Sequence, residues 1–588
     1  MEQTEERNQT PVTMLRLAFI GLAVAALLLG YRGMAIYLAE HPELNHSPID
    51  VLYFTLQLFV LDAEPLSEGG DLPWQLQLAR FAAPAATVFA VVETARVLLT
   101  SELHRLSARR ARRHVVVCGN SAVARTLAGR LHAAGRRVIM VGTPPAAGLA
   151  VPRRRMYGVP GDPTSAEALR AAGVGRAEIV YACTNDSTDN VLTAVTAGRL
   201  RDEGNTTMRV YAQIHDPDLC LSLQARRLSQ PQRATIRLDF FNAEELAARS
   251  LFVDDPLPAA RPTRLLVIGA SPFGRALLVE AARHWRVQSL ETAGRLRIEL
   301  VAADGAAVVD ELHHRYPFLP EACDVTVHAG DLDRVLAAET TAPPDRVYVT
   351  CADEERSLRV ALTTPSLWRG GAGSVVVPVS RLSGLALAFA DGPATGLLDA
   401  VAGTVRLYPL VRTASDPDRI SEDLVERLAR SIHDRYLLFR AGDGVAPGDG
   451  ARARVPWVQL PEDLRRSNRA QAEDIGRKLR LTGLALAPRS GANEPVEMTE
   501  EQVEYLAVLE HQRWRAEWEG AGWRLARRRD GRSRTHPDLR DWADLPESTR
   551  ETNRREIREI PHVLADVGLA MVRAGGAPAR TPDLREAS

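Results

Sequence analysis

Cysteine is scarce in this 588-residue chain. The five that occur, Cys118, Cys183, Cys220, Cys323 and Cys351, form no CxxC pair and have no histidine companions at metal-ligand spacing. Neither a disulfide framework nor a zinc site is supported, and no metal is expected; buried thiols in a reducing cytosol fit the pattern. Net charge is nearly absent as well. The 73 Lys and Arg against 74 Asp and Glu leave −1, so bulk charge points to no nucleic-acid partner. Lys and Arg are missing altogether between Glu40 and Asp71, a stretch that holds Glu40, Glu43, Asp50, Asp62, Glu64, Glu68 and Asp71. Such a surface is strongly negative and concentrates cations. No small-x-small cleavage site follows the first apolar run, which argues against a cleaved signal peptide. The chain is too long for one core, and ~4 domains of ~150 residues each are expected.

What is present begins with two apolar segments. The first, MLRLAFIGLAVAALLLGYRGMAIYLA from Met14, has an apolar core from Leu17 to Leu29 that extends to Ala39 if Arg32 reaches an interface or a protein-lined cavity. A helix needs ~20 residues to span the hydrocarbon, so it qualifies. The second, LQLARFAAPAATVFAVVETARVLLTSEL from Leu76, carries Glu93 and Arg96 one turn apart, able to pair with each other or with a neighbouring subunit. Arg105, Arg109, Arg110, Arg112 and Arg113 follow it, and the positive-inside rule places them in the cytoplasm, with both termini inside. Between the segments, Val51 to Val60 is apolar but too short to cross, and a backbone that enters and returns is allowed only where protein or a water-filled cavity shields it. Outer helix, re-entrant run and inner helix resemble the pore module of potassium channels in layout. Where that family places its TVGYG filter, this chain reads Leu58, Phe59, Val60, Leu61, Asp62, Ala63, Glu64. Potassium selectivity therefore does not carry over. Asp62 and Glu64, repeated around a symmetric assembly, would form an acidic ring; the alternative is that they are solvated loop acids of a non-conducting anchor.

After the Arg cluster, HVVVCGNSAVARTLAGRLHAAGRRVIMV reads as strand, glycine turn, helix and strand, a βαβ unit with Gly119 and Ser121 in its loop. Further on come VPGDPTSAEALRAAGV, with Gly161 and Asp162 starting a helix, and the strand EIVYACTND, ending at Thr184 and Asn185 before STDNVLTAV. The order recurs about 150 residues later. Gly269, Ser271 and Gly274 stand in the loop, Asp304 ends the second strand, Gly330 and Asp331 repeat the Gly-Asp turn, and DRVYVTCADEERSLRVAL mirrors the later strand and helix. The pair resembles the regulator-of-conductance, Trk-type NAD-binding domains that hang in tandem beneath some gated channels. The resemblance implies Rossmann-like folds and a nucleotide, NAD or another, at the turn after the first strand. The first repeat departs: its second strand ends at Val141, Gly142 and Thr143, without the acid that would hold an adenosine ribose, whereas the second keeps Asp304. The alternative is that both repeats are structural and pack against copies of themselves. FNAEELAARSLF after Phe240 looks like the crossover helix with which this family dimerises. No His, Lys or Tyr constellation follows either repeat, so an enzyme is not expected.

From Ser421 the chain turns to helices rich in Arg and Glu. SEDLVERLARSIHDRYL and EEQVEYLAVLEHQRWR align, setting His433 on His511, Arg435 on Arg513 and Tyr436 on Trp514; downstream Trp457 matches Trp542, Pro461 Pro546 and Asn468 Asn553. Two copies of one helical module are present. The second resembles the ryanodine-receptor (RyR) repeat domain through its His-x-x-Trp helix, the Gly-Trp turn at Gly522 and Trp523, His536-Pro537, and Leu545 to Asn553. His511, Trp514 and Trp518 share one helix face, with Arg513 and Arg515 beside it. Aromatic rings that stack a base and Arg forks that grip phosphate suit a nucleotide-like ligand, with His511, Arg513, Trp514, Trp523, Trp542 and Asn553 as its expected contacts. The competing reading makes the tryptophans the core of a helical pair.

These readings give an α/β chain: a cytoplasmic N-terminus (1–13), a membrane module with a pore-like segment and linker (14–112), Rossmann-like domains at 113–255 and 256–415, an abbreviated RyR-like copy (416–488), an all-α RyR-like domain (489–573) and a disordered tail (574–588). The expectation is a multi-pass inner-membrane protein, a homo-oligomer and by analogy a tetramer, in which a nucleotide-type ligand gates a cation path. Its competitor is a membrane-anchored sensor or scaffold without conductance.

Overall fold

The computed structural model describes the chain apart from residues 1–2, 41–46, 61–71, 143–155, 202–206, 231–234, 259–262, 289–293, 331, 333–342, 382–403, 423, 443–452, 492–495 and 575–588; at 3–17, 96–110, 288 and 439–442 it describes the backbone alone. Asp62, Glu64, Asp331 and Thr143 therefore lie outside the described residues, as does the Arg96 side chain expected opposite Glu93. The chain divides into two compact units, Met1–Ser107 and Ala108–Ser588.

In the first unit, helices Gln3–Glu40 and Trp74–Arg110 contain stretches, Ala18–Glu40 and Trp74–Ala95, long and apolar enough to cross a membrane. Between them helix Pro48–Gln57 starts on a capping box: Ser47 Oγ accepts from Asp50 N, and the Asp50 carboxylate accepts from Ser47 N. A 3₁₀ turn, Leu58–Val60, extends it. Val51, Thr55 and Leu58 are buried against Met34, Tyr37, Leu38, Leu76 and Ala79. Glycine permits this approach, since a Cβ on Gly33 would lie 2.7 Å from Leu76 N and one on Gly30 3.0 Å from the Thr55 methyl. The outward faces keep Leu28, Ile49, Tyr53, Val60 and Phe81 exposed, in a pattern that water does not favour.

The second unit carries two parallel six-stranded sheets. The first is ordered β3-β2-β1-β4-β5-β6, from β1 (Val115–Cys118), β2 (Val138–Gly142), β3 (Met156–Pro160), β4 (Ile179–Ala182), β5 (Met208–Gln213) and β6 (Ile236–Phe241). The second has the same winding, from β7 (Arg264–Ile268), β8 (Leu296–Val301), β9 (Cys323–His328), β10 (Arg346–Val349), β11 (Val375–Val379) and β12 (Val405–Pro409). The central strands β1 and β4 are apolar throughout because helices cover both faces; in β1, Val116 and Cys118 enter one core and Val115 and Val117 the other. Order reverses between β1 and β4 and between β7 and β10, the crevices where such sheets take ligands. Asp304 lies three residues beyond β8 and Asp162 ahead of helix Ala166–Ala171, which Ser165 caps. Helix Ala243–Asp254, the expected dimerisation helix, is occupied within the chain: Ala247, Ala248, Leu251 and Phe252 are buried in the core of the second sheet. Tyr408 Oη donates to Ala247 O, and the Asp255 carboxylate accepts from Arg346 and Arg406. Cys118, Cys183, Cys220 and Cys323 are buried, and burial pushes the Cys118 thiol up to about 12.

The C-terminal region is mainly helical, with two strand pairs added. The longer pair joins the copies, β13 (Leu484–Pro488) running antiparallel to β16 (Leu569–Arg573); β14 (Arg524–Leu525) and β15 (Thr535–His536) form the other. With Trp457 set on Trp542, Leu486 and Met571 are equivalent positions, and they pair with each other. Exchanging the copies leaves the register unchanged, so the duplication folds about an internal two-fold axis. The equivalence reaches side chains. Arg469 bonds Glu426 and Glu462, and Arg554 bonds Glu504 and Glu547; the His433 ring meets Val455 O, and the His511 ring Arg540 O.

Candidate functional site

Three places brought together by the fold correspond to the expected site residues. At the first crevice, Gly119 has φ +112°, and a Cβ there would lie 2.5 Å from Cys183 O. Only glycine lets the loop after β1 pass the end of β4. Ser121 is buried, caps helix Ala122–Ala133 through Ala124 N, and donates to Cys183 O at 2.6 Å. Thr184 N donates to Asn190 Oδ1, while Thr184 Oγ1 donates to Asp186 O. Both hydroxyls thus brace the crevice from within. Asn185 and Asp162 are exposed, and Asp162 accepts from Thr164 N and Oγ1, closing a local turn.

The second crevice is built alike. Gly269 has φ +93°, with Thr350 O and Cys351 N each 2.7 Å from where a Cβ would stand; a Cβ on Gly274 would meet Thr350 Oγ1 at 2.5 Å. Ser271 N donates to Thr350 O and its Oγ accepts from Gly274 N. The Asp304 carboxylate, at the place of a ribose acid, faces the Arg275 guanidinium at 3.4 Å, and Arg275 also reaches Glu311. Both side chains are well exposed, so the pair is weak and a ribose hydroxyl can compete for it. Arg275 was not among the expected site residues; its place directly after Gly274 is the signal that could have found it.

The third place is on the second C-terminal copy. The capping box of Thr499 with Gln502 starts helix Glu500–Gly520, whose outer face sets Trp514 5.2 Å from Trp518 between ring centres. The turn at Gly522 brings Trp523 to 4.4 Å from Trp518, and His536 on β15 stands edge-on to Trp514 and Trp518 at 5.0 and 5.3 Å. The Arg529 guanidinium lies 5.6 Å over the Trp518 ring. His511 touches Trp514 and Trp542 from the buried side. Its Nε2 meets a carbonyl and therefore carries the hydrogen. His536 Nδ1 accepts from Asp538 N, and burial holds its pKa low, so an uncharged ring faces the tryptophans. The four tryptophans of this copy are half-buried, neither a sealed core nor a bare surface.

The expected phosphate forks are otherwise engaged. Arg513 is bound by Glu510 at 2.7 Å and Glu517 at 2.8 Å, and Arg515 by Glu519 at 2.8 Å and by Asp541, acids mostly one turn away on the same helix. Asn553 donates to Thr549 O in its own helix, and Trp542 Nε1 to Glu504. Of the expected ligand set, His511, Trp514 and Trp523 join the cluster, Trp542 lies behind His511, and Arg513 and Asn553 are held elsewhere. Trp518, His536 and Arg529 complete it. The first copy keeps His433 beside Tyr436 and Trp457 but has Arg440 where the second has Trp518. Among the described residues no group of three or more His, Cys, Asp or Glu is placed to hold a metal.

Comparison with known proteins finds two domains. Residues 115–229 match the TrkA-N domain and residues 496–573 the RyR domain. Among solved structures, the GsuK channel bound to NAD is 13% identical, with 85% of this chain and 91% of that chain covered, at a TM-score of 0.34. GsuK bound to ADP is 16% identical, with 70% and 97% covered, at 0.32. No curated protein matches.

Proposed function

We propose that this chain, carrying a TrkA-N domain and a RyR domain behind two membrane-length helices, is one subunit of a membrane protein in which a nucleotide-type ligand gates a cation path. The observation that carries the reading is the aromatic cluster of Trp514, Trp518, Trp523 and His536, which the second copy has and the first lacks. The first copy forms the same seam without it, so the fold does not require it. Half-exposed indoles beside an uncharged imidazole offer stacking faces to a base, worth about 1–3 kcal/mol per base. Arg529 supplies the charge expected earlier of Arg513.

Support for the membrane half is the capped helix Pro48–Gln57, held by its inner face while Ile49, Tyr53 and Val60 remain exposed, which suits burial against lipid or sister copies. Four chains around an axis would place Asp62 and Glu64 in a ring, and a ligand preferring one state of the cytoplasmic assembly would bias the path. A second reading is favoured by the 3₁₀ turn Leu58–Val60, which stands at the filter position with apolar side chains: a membrane-anchored sensor that does not conduct.

Planar-bilayer recording of the purified protein with a panel of nucleotides tests both. Ligand-dependent current that disappears in Trp518→Ala, and whose cation preference falls in Asp62→Asn with Glu64→Gln, is the expected result. Nucleotide binding without current supports the anchored sensor, and no binding removes the sensing role.

A further inference from the structure

A cavity of about 40 Å³ lies where helices Ala243–Asp254 and Pro272–Gln288 of the Rossmann pair meet helix Leu424–Gly442 of the first C-terminal copy and Asp566 of the second. At about 10–15 Å³ per water, it has room for about three waters or one compact tetrahedral anion. Its acids are engaged with arginines, among them Glu422, which faces Arg430 at 3.6 Å. Glu280 binds Arg283, the Asp566 carboxylate accepts from Arg286, Arg435 and Ser431, and Glu426 is gripped by Arg469. Asp434 is pushed up to about 6 by burial, so it sheds its charge, and with it the repulsion of an anion, as pH falls below that value.

The arginines are served only in part: Arg286 keeps Asp566 at 2.9 Å and Arg430 faces Glu422 at 3.6 Å, but other N–H groups of the same set are left over. Arg249 Nε and Nη1, and the Nε of Arg286, Arg427 and Arg430, are buried with no hydrogen-bond partner among the described residues. The nearest acid to Arg249 Nε is Glu280 at 3.9 Å. Among the described residues the hydrogen bonds of Arg427 are long, to Gln224 Oε1 at 3.4 Å and Val567 O at 3.5 Å. Burial first, and then the Arg427 charge, brings Arg249 down to about 10. Two like charges and several orphan donors around one small cavity are costly unless something negative accepts from them.

We propose that this cavity is an oxyanion site of the phosphate class, held chiefly by Arg249 and Arg427 and closed by Arg286 and Arg430. A tetrahedral anion presents several acceptors at once, which matches donors arriving from different helices. The occupant is free phosphate or the terminal phosphate of a nucleotide. Binding there would tie the Rossmann pair to both C-terminal copies, and the assignment does not rest on the aromatic cluster.

The test is thermal unfolding and calorimetric titration of the full-length protein with sodium phosphate against sodium chloride at matched ionic strength and pH, alongside ADP against adenosine. Saturable stabilisation by phosphate is the expected result if the anion is free; stabilisation by ADP, with neither adenosine nor phosphate effective, assigns the site to a nucleotide phosphate. In either case Arg427→Gln weakens binding by about ten-fold or more. Arg430→Gln serves the same comparison should Arg427→Gln fail to fold. Equal curves in phosphate, chloride, ADP and adenosine overturn the proposal, as does an unchanged affinity in both Arg427→Gln and Arg430→Gln. Trp518→Ala is the control, and phosphate binding that disappears with it overturns the assignment to this cavity.

Discussion

Glu510→Gln tests the seam between the two C-terminal copies most directly. Lys478, the only lysine in the chain, has a side chain 1% exposed and bonds Glu510, itself 3% exposed, with Asp474 at 3.3 Å as its second acid. Burial alone would raise the Glu510 carboxyl; the Lys478 and Arg513 charges overcome it and hold the group at about 2. A carboxyl that titrates near 4.5 unfolded and at about 2 folded contributes about 3 kcal/mol above pH 4.5, and the contribution is lost as pH falls from 4.5 towards 2. Removing one partner of a buried pair costs about 3–5 kcal/mol, and the surviving Asp474 keeps this case at the lower end. Hydrogen exchange on the full chain at pH 7 should therefore show helices Glu462–Leu481 and Glu500–Gly520 opening about a hundred-fold more readily in Glu510→Gln. The double variant Lys478→Met with Glu510→Leu should recover most of the protection, because it removes both charges together. Unchanged protection in the single variant, or a double variant as damaged as the sum of its parts, refutes the reasoning.

Two further outcomes follow from close approaches and exposed pairs. Gly33→Leu places side-chain atoms where the Leu76 backbone already stands, 2.7 Å from the first added carbon, and should prevent the membrane hairpin from packing; size-exclusion chromatography in detergent reads this as lost oligomer or aggregation, and a normal profile removes the close packing. Arg275→Gln frees Asp304 from an exposed pair worth at most about 1 kcal/mol, so titration with NAD should tighten by about two- to five-fold; unchanged or weaker binding means that Asp304 does not meet a ribose.

Much of this architecture is legible in the sequence because its signals are local. Gly119 and Gly269 both mark loops that need positive φ, and the apolar strands that run into them read as buried. The duplication is legible as Trp457 against Trp542. What it does with its ends is not: LALAP and LAMVR are short apolar runs after a left-handed glycine, Gly483 and Gly568, and nothing local tells each that the other is its partner. The same limit governs the site. Arg513 beside an aromatic face reads as a ligand group until Glu510 and Glu517, one turn either side, are seen to hold it; that spacing was visible, but its outcome depended on how deeply the helix is buried. Asp304 and Arg275 meet only when the chain has wound from one strand to the next, and Trp523 reaches Trp518 because Gly522 adopts φ +83°.

The internal two-fold axis supplies a comparison within one molecule. Within each copy the same groups recur: an Arg gripping two Glu, and a His donating to an equivalent carbonyl. These groups fix the packing of either copy, so losing them on one side would cost the fold on that side. Trp518, Trp523 and His536 stand outside that set. They are half-buried, and their ring partners are one another, Trp514 and Arg529. The first copy has an Arg at the place of Trp518 and still forms its half of the seam. Packing alone therefore does not account for the cluster. Half-exposed aromatic area without a structural debt to the scaffold is the kind of surface that a planar ligand covers, with one such surface per chain rather than two.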